Sequence, residues 1–519
     1  MKSIWLGLVI TTLITFCSGY KIMVVFPIAS RSHSILGDRV VSLLAKTGHE
    51  VTYLTPFPKG KGPANVREID LSHNIQYLPD HVGDIKQYMN NDLIPSNVTL
   101  FFDSLKKSCI HAIEHKEIQE MMYDPNVKFD VIIIEWIFLD YIAGLSAVFD
   151  CPYIWLSSSD PHRMVLQLAH DAPNPAYTTD AMSPNMPPLS FFQRAQELLF
   201  YVGGILLQYF VTDPILYIEY DRLLVPAIKK RGYPVPPLED IIYNASLVLS
   251  NSHPSMGKSI PLPQNFKPVG GFHINREVKP LPEDLQKLLD GAKHGLIYFS
   301  MGSNLKSRLL PDELKKSLLK MFGGLKYTIL WKFEEDLPGT PSNVHIVNWA
   351  PQQSILAHPN CVLFITHGGQ LSTTETVHFG KPIVAIPAFA DQHLNAARAV
   401  HLGFAKKVQL SFTMAGDIKK AIEEILGDPK YAARAKELSV IYHDRPVTPD
   451  KELVHWVEHV VKTRGAPHLR SPALDLSWYQ KIYLDFAAFV LIVLIVIVTV
   501  VKRIISTFRG SKVVKKKRQ

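Results

Sequence analysis

Short apolar runs alternate with amphipathic stretches along this chain, and the alternation predicts strands and helices in turn. In the first half, near-continuous apolar runs, typical of strands buried on both faces of a parallel sheet, occur at residues 21–27, 50–54, 129–134 and 153–156. A loop at residues 28–34 leads into a helical pattern that ends at Lys46, shortly before Gly48. Strand, helix and strand in succession predict a βαβ unit, so we expect an open α/β domain here.

The second half of the chain repeats this pattern. Its apolar runs lie at residues 295–300, 327–332, 344–348, 361–366 and 382–386. A chain of 519 residues is too long for one hydrophobic core, and the proline-rich segment 261–282 is typical of a linker. We therefore predict an α/β protein with two facing, doubly wound Rossmann-like domains, at residues 20–260 and 283–481.

Both ends of the chain carry signals for a membrane. Residues 1–19 combine a basic start at Lys2, an apolar core from Ile4 to Phe16 and small residues at the end, which predicts a cleaved secretory signal peptide. Residues 482–501 contain a single charge, Asp485. As a helix this segment is about 30 Å long, the thickness of a bilayer core, so we expect it to span the membrane.

The net charge of the chain lies in its last residues. The formal net charge is +8, and the tail at 502–519 contains eight Lys and Arg residues and no acidic residue. Without the tail, 47 basic residues balance 47 acidic ones, so the body lacks the basic surface of a nucleic-acid-binding protein. Because basic flanks mark the cytosolic side of a membrane helix, we expect a single-pass type I protein with a lumenal body.

Short motifs favour the endoplasmic reticulum. Lys516 and Lys517 lie fourth and third from the carboxyl end, as in the dilysine retrieval signal of resident membrane proteins. A basic flank that only stops transfer explains the charge but not this terminal position. Two acceptor sequons, at Asn97 and Asn244, fit a glycosylated lumenal body.

A long apolar helix is predicted at residues 191–211. Three placements remain open for it: on the membrane face, along an apolar acceptor pocket, or in a buried core, where apolar helices of this length usually pack.

The most informative stretch of the sequence is residues 349–392. Within it a strand pattern ends at His367, Gly368 and Gly369, and a helical pattern follows from about Ser372. Such a strand-to-helix turn leaves backbone N–H groups unpaired and directs the positive end of a helix dipole to the edge of the sheet, which suits a phosphate. The imidazole of His367 is an additional hydrogen-bond donor at this turn.

Residues around this turn have the chemistry to bind the rest of a nucleotide sugar. Trp349 offers a flat face to a nucleobase and Gln352 an amide to its edge, while carboxylates and amides that can hold sugar hydroxyls occur at Glu375, Asp391 and Gln392. The hydroxyl of Ser303 follows the strand pattern at 295–300, where a phosphate would lie. The stretch therefore predicts a donor site composed of Ser303, Trp349, Gln352, His367, Gly368, Gly369, Ser372, Glu375, Asp391 and Gln392.

With these residues at these spacings, the stretch resembles the signature of the membrane-bound animal UDP-glycosyltransferases, and it is closest to invertebrate members. The similarity continues through residues 444–446, 468–470 and 478–480. One local departure is Gln370-Leu371-Ser372, where many members have a small residue and an asparagine. The resemblance implies a GT-B arrangement in which the first half binds the acceptor, the second half binds a UDP-sugar as co-substrate, and no cofactor is needed.

Transfer of a sugar to a hydroxyl requires a base, and histidine titrates near neutrality. His33 follows the first strand, at the edge where α/β domains bind ligands, and it falls where the family's catalytic histidine does. A carboxylate is expected to orient it. The family's aspartate falls on Glu135, but Asp140 is an alternative, unless it is an ordinary helix N-cap. The sequence leaves this choice open.

The predicted reaction is an inverting transfer of a hexosyl group to a hydroxyl of a small lipophilic acceptor. UDP-glucose is favoured as donor by the invertebrate resemblance, with UDP-glucuronate as the alternative. No Asp-x-Asp pair occurs in the chain, so we expect no metal requirement. A dinucleotide-dependent oxidoreductase lacks support because no strand is followed by Gly-x-Gly-x-x-Gly.

A second rival is a non-catalytic lumenal carrier or chaperone, which would keep the scaffold and lose the chemistry. The presence of His33 and the Asp391-Gln392 pair argues against this rival. Association into a homo-oligomer is compatible with the sequence.

Overall fold

Two parallel sheets, formed from successive halves of the chain, organise this protein. The computed structural model describes residues 19–77, 85–89, 98–170, 173–180, 183, 185–256 and 260–516. Three predictions fall on residues outside the described ones: the signal peptide before Gly19, the glycosylation sequon at Asn97 and the second lysine of the dilysine motif, Lys517.

The first sheet contains seven strands within the described residues: β1 (Lys21–Val25), β2 (Glu50–Thr55), β3 (Val66–Asp70), β4 (Val131–Trp136), β5 (Tyr153–Ser157), β6 (Leu247–Ser250) and β7 (Phe266–Pro268). They are all parallel, in the order β3-β2-β1-β4-β5-β6-β7. In the centre, Val24 of β1 pairs with Tyr53 on one side and Ile133 on the other. These strands are buried on both faces, which explains their continuous apolar runs.

The second sheet has six strands in the part of the chain that the structure describes: β8 (Leu296–Ser300), β9 (Thr328–Lys332), β10 (Val344–Val347), β11 (Cys361–Thr366), β12 (Ile383–Ala385) and β13 (Ala405–Lys407). They are also parallel, in the order β10-β9-β8-β11-β12-β13. Strand β11 lies between β8 and β12, and Ile365 pairs with Phe299 and Val384.

Helices cover both faces of each sheet. In the first half they are α1 (Arg31–Lys46), α2 (Ile85–Met89), α3 (Val98–Glu114), α4 (Lys116–Tyr123), α5 (Leu145–Phe149), α6 (Arg163–Gln167), α7 (Phe191–Leu207), α8 (Asp213–Leu223), α9 (Val225–Lys230) and α10 (Leu238–Ile242). In the second half they are α11 (Glu283–Asp290), α12 (Asp312–Gly323), α13 (Gln352–Ala357), α14 (Gln370–His378), α15 (Gln392–His401), α16 (Met414–Gly427), α17 (Lys430–His443) and α18 (Pro449–Lys462).

The strands that the sequence pattern did not predict are short or mixed in polarity. Strand β3 reads VREID, and only Ile69 in it is buried. Strand β7 lies inside the segment that we predicted as the interdomain linker, yet it pairs in parallel with β6. Because its three residues include Lys267 and Pro268, the polarity pattern gives no strand signal there.

The helix α18 returns to the first domain, although the sequence pattern placed it with the second. Its buried residues Leu453, Val457 and Val460 share a core with Ile22 of β1 and Leu36 of α1. Those three positions lie on one face of a helix, and burial of that face joins the end of the body to its beginning.

A second element crosses between the domains, from the first half of the chain to the second domain. The short helix α2 belongs to the first half, but its buried residues Ile85 and Met89 are part of the core of the second domain. Beside them Tyr88 stacks on Phe389, with ring centroids 5.1 Å apart. The two domains therefore exchange elements, and the chain up to Leu469 forms one compact unit.

A buried polar cluster also joins the domains; we call it the interdomain cluster (Asp160, Asn251, Gln370 and Arg398). Arg398 Nη1 of α15 donates to Asp160 Oδ2, in the loop after β5. Gln370 Nε2 donates to Asp160 Oδ1 and to the Asn251 carbonyl, at 3.0 Å each. Gln370 is part of the local departure from the family pattern, and it makes contacts between the domains.

The apolar helix predicted at residues 191–211 is exposed, so its placement in a buried core is wrong. It is observed as α7 followed by a single π-helical segment, Gln208–Thr212. Large apolar side chains point outward along it, with Phe192 81% exposed and Leu199 72% exposed. By length and composition, the helical stretch Phe191–Lys230 is one of two candidate membrane spans among the described residues.

The other candidate span belongs to the second compact unit of the chain, Arg470–Gln519. This unit contains α19 (Trp478–Lys481) and α20 (Leu484–Lys516). The part Leu484–Thr507 has 24 residues and a mean hydropathy of 3.1. The C-terminal apolar helix that the sequence predicted is therefore present, and by composition it can cross a bilayer.

Candidate active site

The N-terminal part of the site is a histidine at the start of a helix. Helix α1 begins at Arg31, so His33 lies in its first turn and not in the loop after β1, where the sequence pattern placed it. The helix starts early because Ser30 has the extended backbone of an N-cap. His33 Nδ1 is in hydrogen-bond contact with Glu135 Oε1 of the neighbouring strand β4.

The structure brings Glu135, and not Asp140, to His33. Glu135 is fully buried near the carboxyl end of β4. Asp140 lies further along, at the start of the 3₁₀ turn Asp140–Gly144, and its Oδ1 accepts a hydrogen bond of 3.0 Å from Trp136 Nε1. Burial raises the pKa of Asp140 to about 7. Its N-cap position is occupied by Leu139, so Asp140 is not the N-cap.

Charges from both domains act on His33. Burial lowers its pKa, but the charge of Glu135, the hydrogen bond to Glu135 and the charge of Asp391 together raise it above the ordinary value of 6.5. Asp391 comes from the second domain, just before α15. Nearby, Ser30 Oγ donates to Asn304 Oδ1 at 3.0 Å, across the same boundary. The histidine therefore faces the second domain.

On the opposite wall lies the strand-to-helix turn at the end of β11, which we call the glycine elbow (His367, Gly368 and Gly369). Gly368 has a φ of +82°, a conformation that side chains disfavour. The ring of His367 packs between Gly302 and Gly369, and a Cβ on either glycine would lie 2.5 Å from it. Only glycine fits at these two positions with the ring in place.

His367 is an uncharged donor. Burial and the nearby charge of Lys332 lower its pKa to about 4, so the ring stays neutral at physiological pH. Lys332 itself is buried at the end of β9, where its Nζ donates to Gly302 O at 2.9 Å and to Glu334 Oε1 at 2.8 Å. Its Nζ also lies 5.8 Å from the ring centroid of Trp349.

Lys332 was missed by the sequence interpretation. Its position at the carboxyl end of a predicted strand was the available signal.

The backbone groups of the elbow are partly occupied. The Gly368 N–H donates to Thr366 Oγ1 at 3.3 Å, and the Gly368 carbonyl accepts from Asn395 Nδ2 at 3.0 Å. Burial raises the pKa of Asp391, and the backbone of Gln370, in the first turn of α14, opposes this shift. The Asp391 carboxylate accepts from Asn395 Nδ2 at 2.7 Å.

The residues expected to bind a nucleoside lie together beyond the elbow. Trp349 is 58% exposed, so its face is available for stacking. Gln352, at the start of α13, donates from Nε2 to Glu375 Oε2 at 2.6 Å and to Ser372 Oγ at 3.2 Å. The structure therefore gathers an aromatic face, an amide and a buried carboxylate in one place.

The remaining predicted residues lie at the rim of the elbow. Gln392 Oε1 accepts from the Ala388 N–H at 2.9 Å, so its amide is fixed by the loop before α15. Ser303 is half-buried in the turn after β8, and its carbonyl accepts from Lys306 Nζ at 2.9 Å.

The second predicted glycosylation residue, Asn244, is half-buried after α10.

Comparison with known proteins shows relatives along the whole body. A family model described as UDP-glucoronosyl and UDP-glucosyl transferase matches residues 21–519. UDP-glucosyltransferase 2 of Dactylopius coccus is 30% identical over 502 residues, which are 95% of this chain and 94% of that protein. UDP-glucuronosyltransferase 2C1 of Oryctolagus cuniculus is 28% identical over 485 residues, 89% of this chain and 93% of that protein.

Among solved structures, the glycotransferase of kitacinnamycin has a TM-score of 0.56 at 17% identity. The match covers 87% of this chain and 100% of that one. This likeness shows the fold, which is GT-B as predicted.

Proposed function

Since this chain belongs to the UDP-glucuronosyl and UDP-glucosyl transferase family, we propose that it transfers glucose from UDP-glucose to a hydroxyl of a small lipophilic acceptor, with inversion at the anomeric carbon. A UDP-sugar is the co-substrate of UDP-glycosyltransferases, and this chain is one of them. Two things remain to be tested: the sugar that is transferred and the acceptor that receives it.

The observation that carries the proposal is the pairing of two sites across one domain boundary. His33 and Glu135 come from the first domain, while Asp391 and the glycine elbow come from the second. Displacement at the anomeric carbon requires a base on one side of that carbon and a group that binds the leaving diphosphate on the other. The two walls of the site carry residues suited to these two tasks.

In the proposed mechanism, Glu135 holds Nδ1–H of His33, so that Nε2 is free to accept the proton of the acceptor hydroxyl. The hydroxyl oxygen attacks the anomeric carbon as the bond to UDP breaks. The proton remains on His33, and UDP leaves with the bonding electrons. The N–H of His367 and the amino end of α14 stabilise the charge that grows on the diphosphate.

Glucose is proposed over glucuronate because a relative at 30% identity is named a UDP-glucosyltransferase, while the glucuronosyltransferase compared with it is at 28%. The test is a donor panel with one broadly accepted phenol as acceptor, assayed in microsomes that contain the full chain. We expect transfer from UDP-glucose to exceed transfer from UDP-glucuronate. The opposite order would overturn the donor assignment alone.

The catalytic assignment is tested with His33→Ala in the same assay. A general base contributes about 100-fold to 10,000-fold, so turnover should fall by that factor while UDP still binds. Unchanged turnover would remove His33 from this role. Binding of UDP-sugar with neither transfer nor hydrolysis by the wild-type protein would instead support the non-catalytic carrier.

We also propose that the protein functions in the endoplasmic reticulum, with its body in the lumen and its tail in the cytosol. The apolar segment 482–501 and the basic residues that follow it support this orientation. Addition of endo-β-N-acetylglucosaminidase to microsomal protein should increase its gel mobility if Asn244 is glycosylated. Activity should persist in a metal chelator, since no cofactor or metal is part of the proposal.

A further inference from the structure

One buried histidine, far from His33 in sequence, contacts the nucleoside-binding residues. His273 lies on the segment that connects the two sheets, and its side chain is fully buried. Its Nε2 lies 3.5 Å from Glu375 Oε1, and neither ring nitrogen makes a hydrogen bond to any of the described residues. A buried ring that lacks other partners and points at a buried carboxylate calls for an explanation.

The other partners of that carboxylate all come from α13. Gln352 Nε2 donates to Glu375 Oε2 at 2.6 Å, and Gln353 Nε2 donates to Oε1 at 3.0 Å. A buried carboxylate is stable only when donors surround it. The ring of His273 lies on the remaining side of the carboxylate, and it comes from the connecting segment and not from the helices of the UDP-sugar site.

The connecting segment is held on both sides of His273. Arg39 Nε of α1 donates to the Phe272 carbonyl at 3.0 Å. The Asn275 N–H donates to Gln353 Oε1 at 3.1 Å. The ring of His273 therefore has little freedom to turn away from Glu375, and the same segment is tied to the helix that carries His33.

A third constraint fixes the turn before the histidine. Tyr442 Oη donates to the Gly270 carbonyl at 3.1 Å. Gly271 has a φ of +92°, and a Cβ there would lie 1.7 Å from Tyr442 Oη. The backbone path into His273 is thus determined by packing on α17 and does not depend on the side chain of His273.

We propose that His273 is a positioning residue for recognition of the nucleotide ribose: the ring donates Nε2–H to Glu375 and fixes the carboxylate for the 2′ and 3′ hydroxyls of the sugar. This inference rests on the proposed function, in which Glu375 accepts those hydroxyls. The ring itself does not touch the ligand. It acts through the orientation of Glu375, so its effect belongs to donor binding and not to the chemical step.

The test compares UDP with 2′,3′-dideoxy-UDP as ligands, by calorimetry on the full chain in detergent. In His273→Leu, binding of UDP should weaken about tenfold, while binding of 2′,3′-dideoxy-UDP changes little, because that ligand lacks both hydroxyls that Glu375 would accept. The preference for UDP should therefore almost disappear. The KM for UDP-glucose should rise by a similar factor with little change in kcat.

Conservative variants separate positioning from packing. His273→Gln carries an amide N–H that reaches the place of Nε2, so the preference for UDP should be restored. His273→Asn is too short to reach Glu375 and should behave like the Leu variant, which decides the question if the Leu variant fails to fold. His294→Leu is the matched control, because His294 is exposed in the turn before β8, and it should bind both ligands as the wild type does.

The outcomes are distinguishable. Retention of the preference for UDP in both the Leu and Asn variants would overturn the positioning role and leave the proposed function intact. Equal weakening of both ligands in the Leu, Asn and Gln variants would also overturn it, since that is the result of lost packing. If the wild-type protein binds neither ligand, the proposed function falls and this inference falls with it. Glu375→Gln should lack the preference, and His273→Leu added to it should change nothing further.

Discussion

At the residue scale, burial and neighbouring charge give the two site histidines opposite properties. His33 has a raised pKa because the charges of Glu135 and Asp391 outweigh its burial. His367 has a pKa of about 4 because burial and Lys332 act in the same direction. One ring is suited to take a proton, and the other to remain a neutral donor.

This contrast predicts the pH dependence of the reaction. The base must be neutral, so kcat/KM should fall as the pH drops through the pKa of His33, which lies above 6.5. Glu135→Gln removes a negative charge that favours the protonated ring, so in this variant the fall of kcat/KM should occur at lower pH. Rate measurements from pH 5 to 9 check this. If kcat/KM fell at the same pH in the wild type and the variant, the fall would be due to a group other than His33.

The packing of His367 predicts the effect of a single methyl group. Gly369→Ala would place a Cβ 2.5 Å from the His367 ring, so the ring must leave its position. Binding of UDP should weaken about tenfold, the magnitude of one lost hydrogen bond to a charged group. Gly416→Ala in α16 is the control, because no atom lies within 4 Å of its added Cβ. Calorimetry with UDP measures both variants, and equal affinity would mean that the ring does not contact the ligand.

The strand-to-helix turn of the candidate site could be predicted from the sequence, but the contacts between its side chains could not. The turn at His367 carries its own signal, a strand pattern that ends in two glycines. The choice between Glu135 in β4 and Asp140 after it depends on which of the two side chains meets α1, and spacing alone does not give that. The contact of His273 with Glu375 joins residues a hundred positions apart, and no local pattern predicts such a contact.

At the scale of elements, the domains are joined by buried contacts as well as by a connecting segment. The interdomain cluster places Arg398 and Gln370 of the second domain on Asp160 of the first. Both charged side chains are nearly inaccessible, at 6% and 10% exposure. The removal of one partner leaves the other charge buried and unpaired.

Arg398→Leu should therefore destabilise the body by about 3 to 5 kcal/mol. The double variant Asp160→Leu, Arg398→Leu should be less destabilised than the sum of the single variants, because neither charge remains. Denaturant unfolding followed by tryptophan fluorescence measures these differences. Additive effects would show that the two side chains do not interact in solution.

The central strands could be predicted with almost correct bounds because strands buried on both faces have continuous apolar sequences. Edge strands such as β3 and β13 have fewer buried positions, and their sequences resemble loops. The return of α18 could not be predicted either. Its apolar stripe shows that the helix packs on something, but not on which domain.

At the scale of the whole molecule, two apolar surfaces are compatible with a membrane. One is α20, and the other is the outward face of α7, where Phe192 and Leu199 are exposed. An exposed apolar face of this length is unusual on a protein surrounded only by water. We expect it to lie in the bilayer interface.

A form of the protein that ends before α20 should therefore still bind vesicles of neutral phospholipid. Substitution of Phe192, Leu199 and Phe210 by serine in that form should release it, because the apolar area available for insertion falls. Flotation of protein with vesicles is the measurement. As a control, serine at Val440 and Ile441, exposed apolar residues of α17, should leave binding unchanged. A truncated protein that stays in the soluble fraction would contradict the expectation.

The return of α18 to the first domain has a consequence for biosynthesis. The core around Ile22 and Leu36 lacks Leu453, Val457 and Val460 until the ribosome has made nearly the whole body. At a translation rate of about 5 to 20 residues per second, this delay lasts roughly 20 to 90 s. During that interval the nascent amino-terminal half exposes an apolar groove, so we expect it to bind chaperones until α18 has been made.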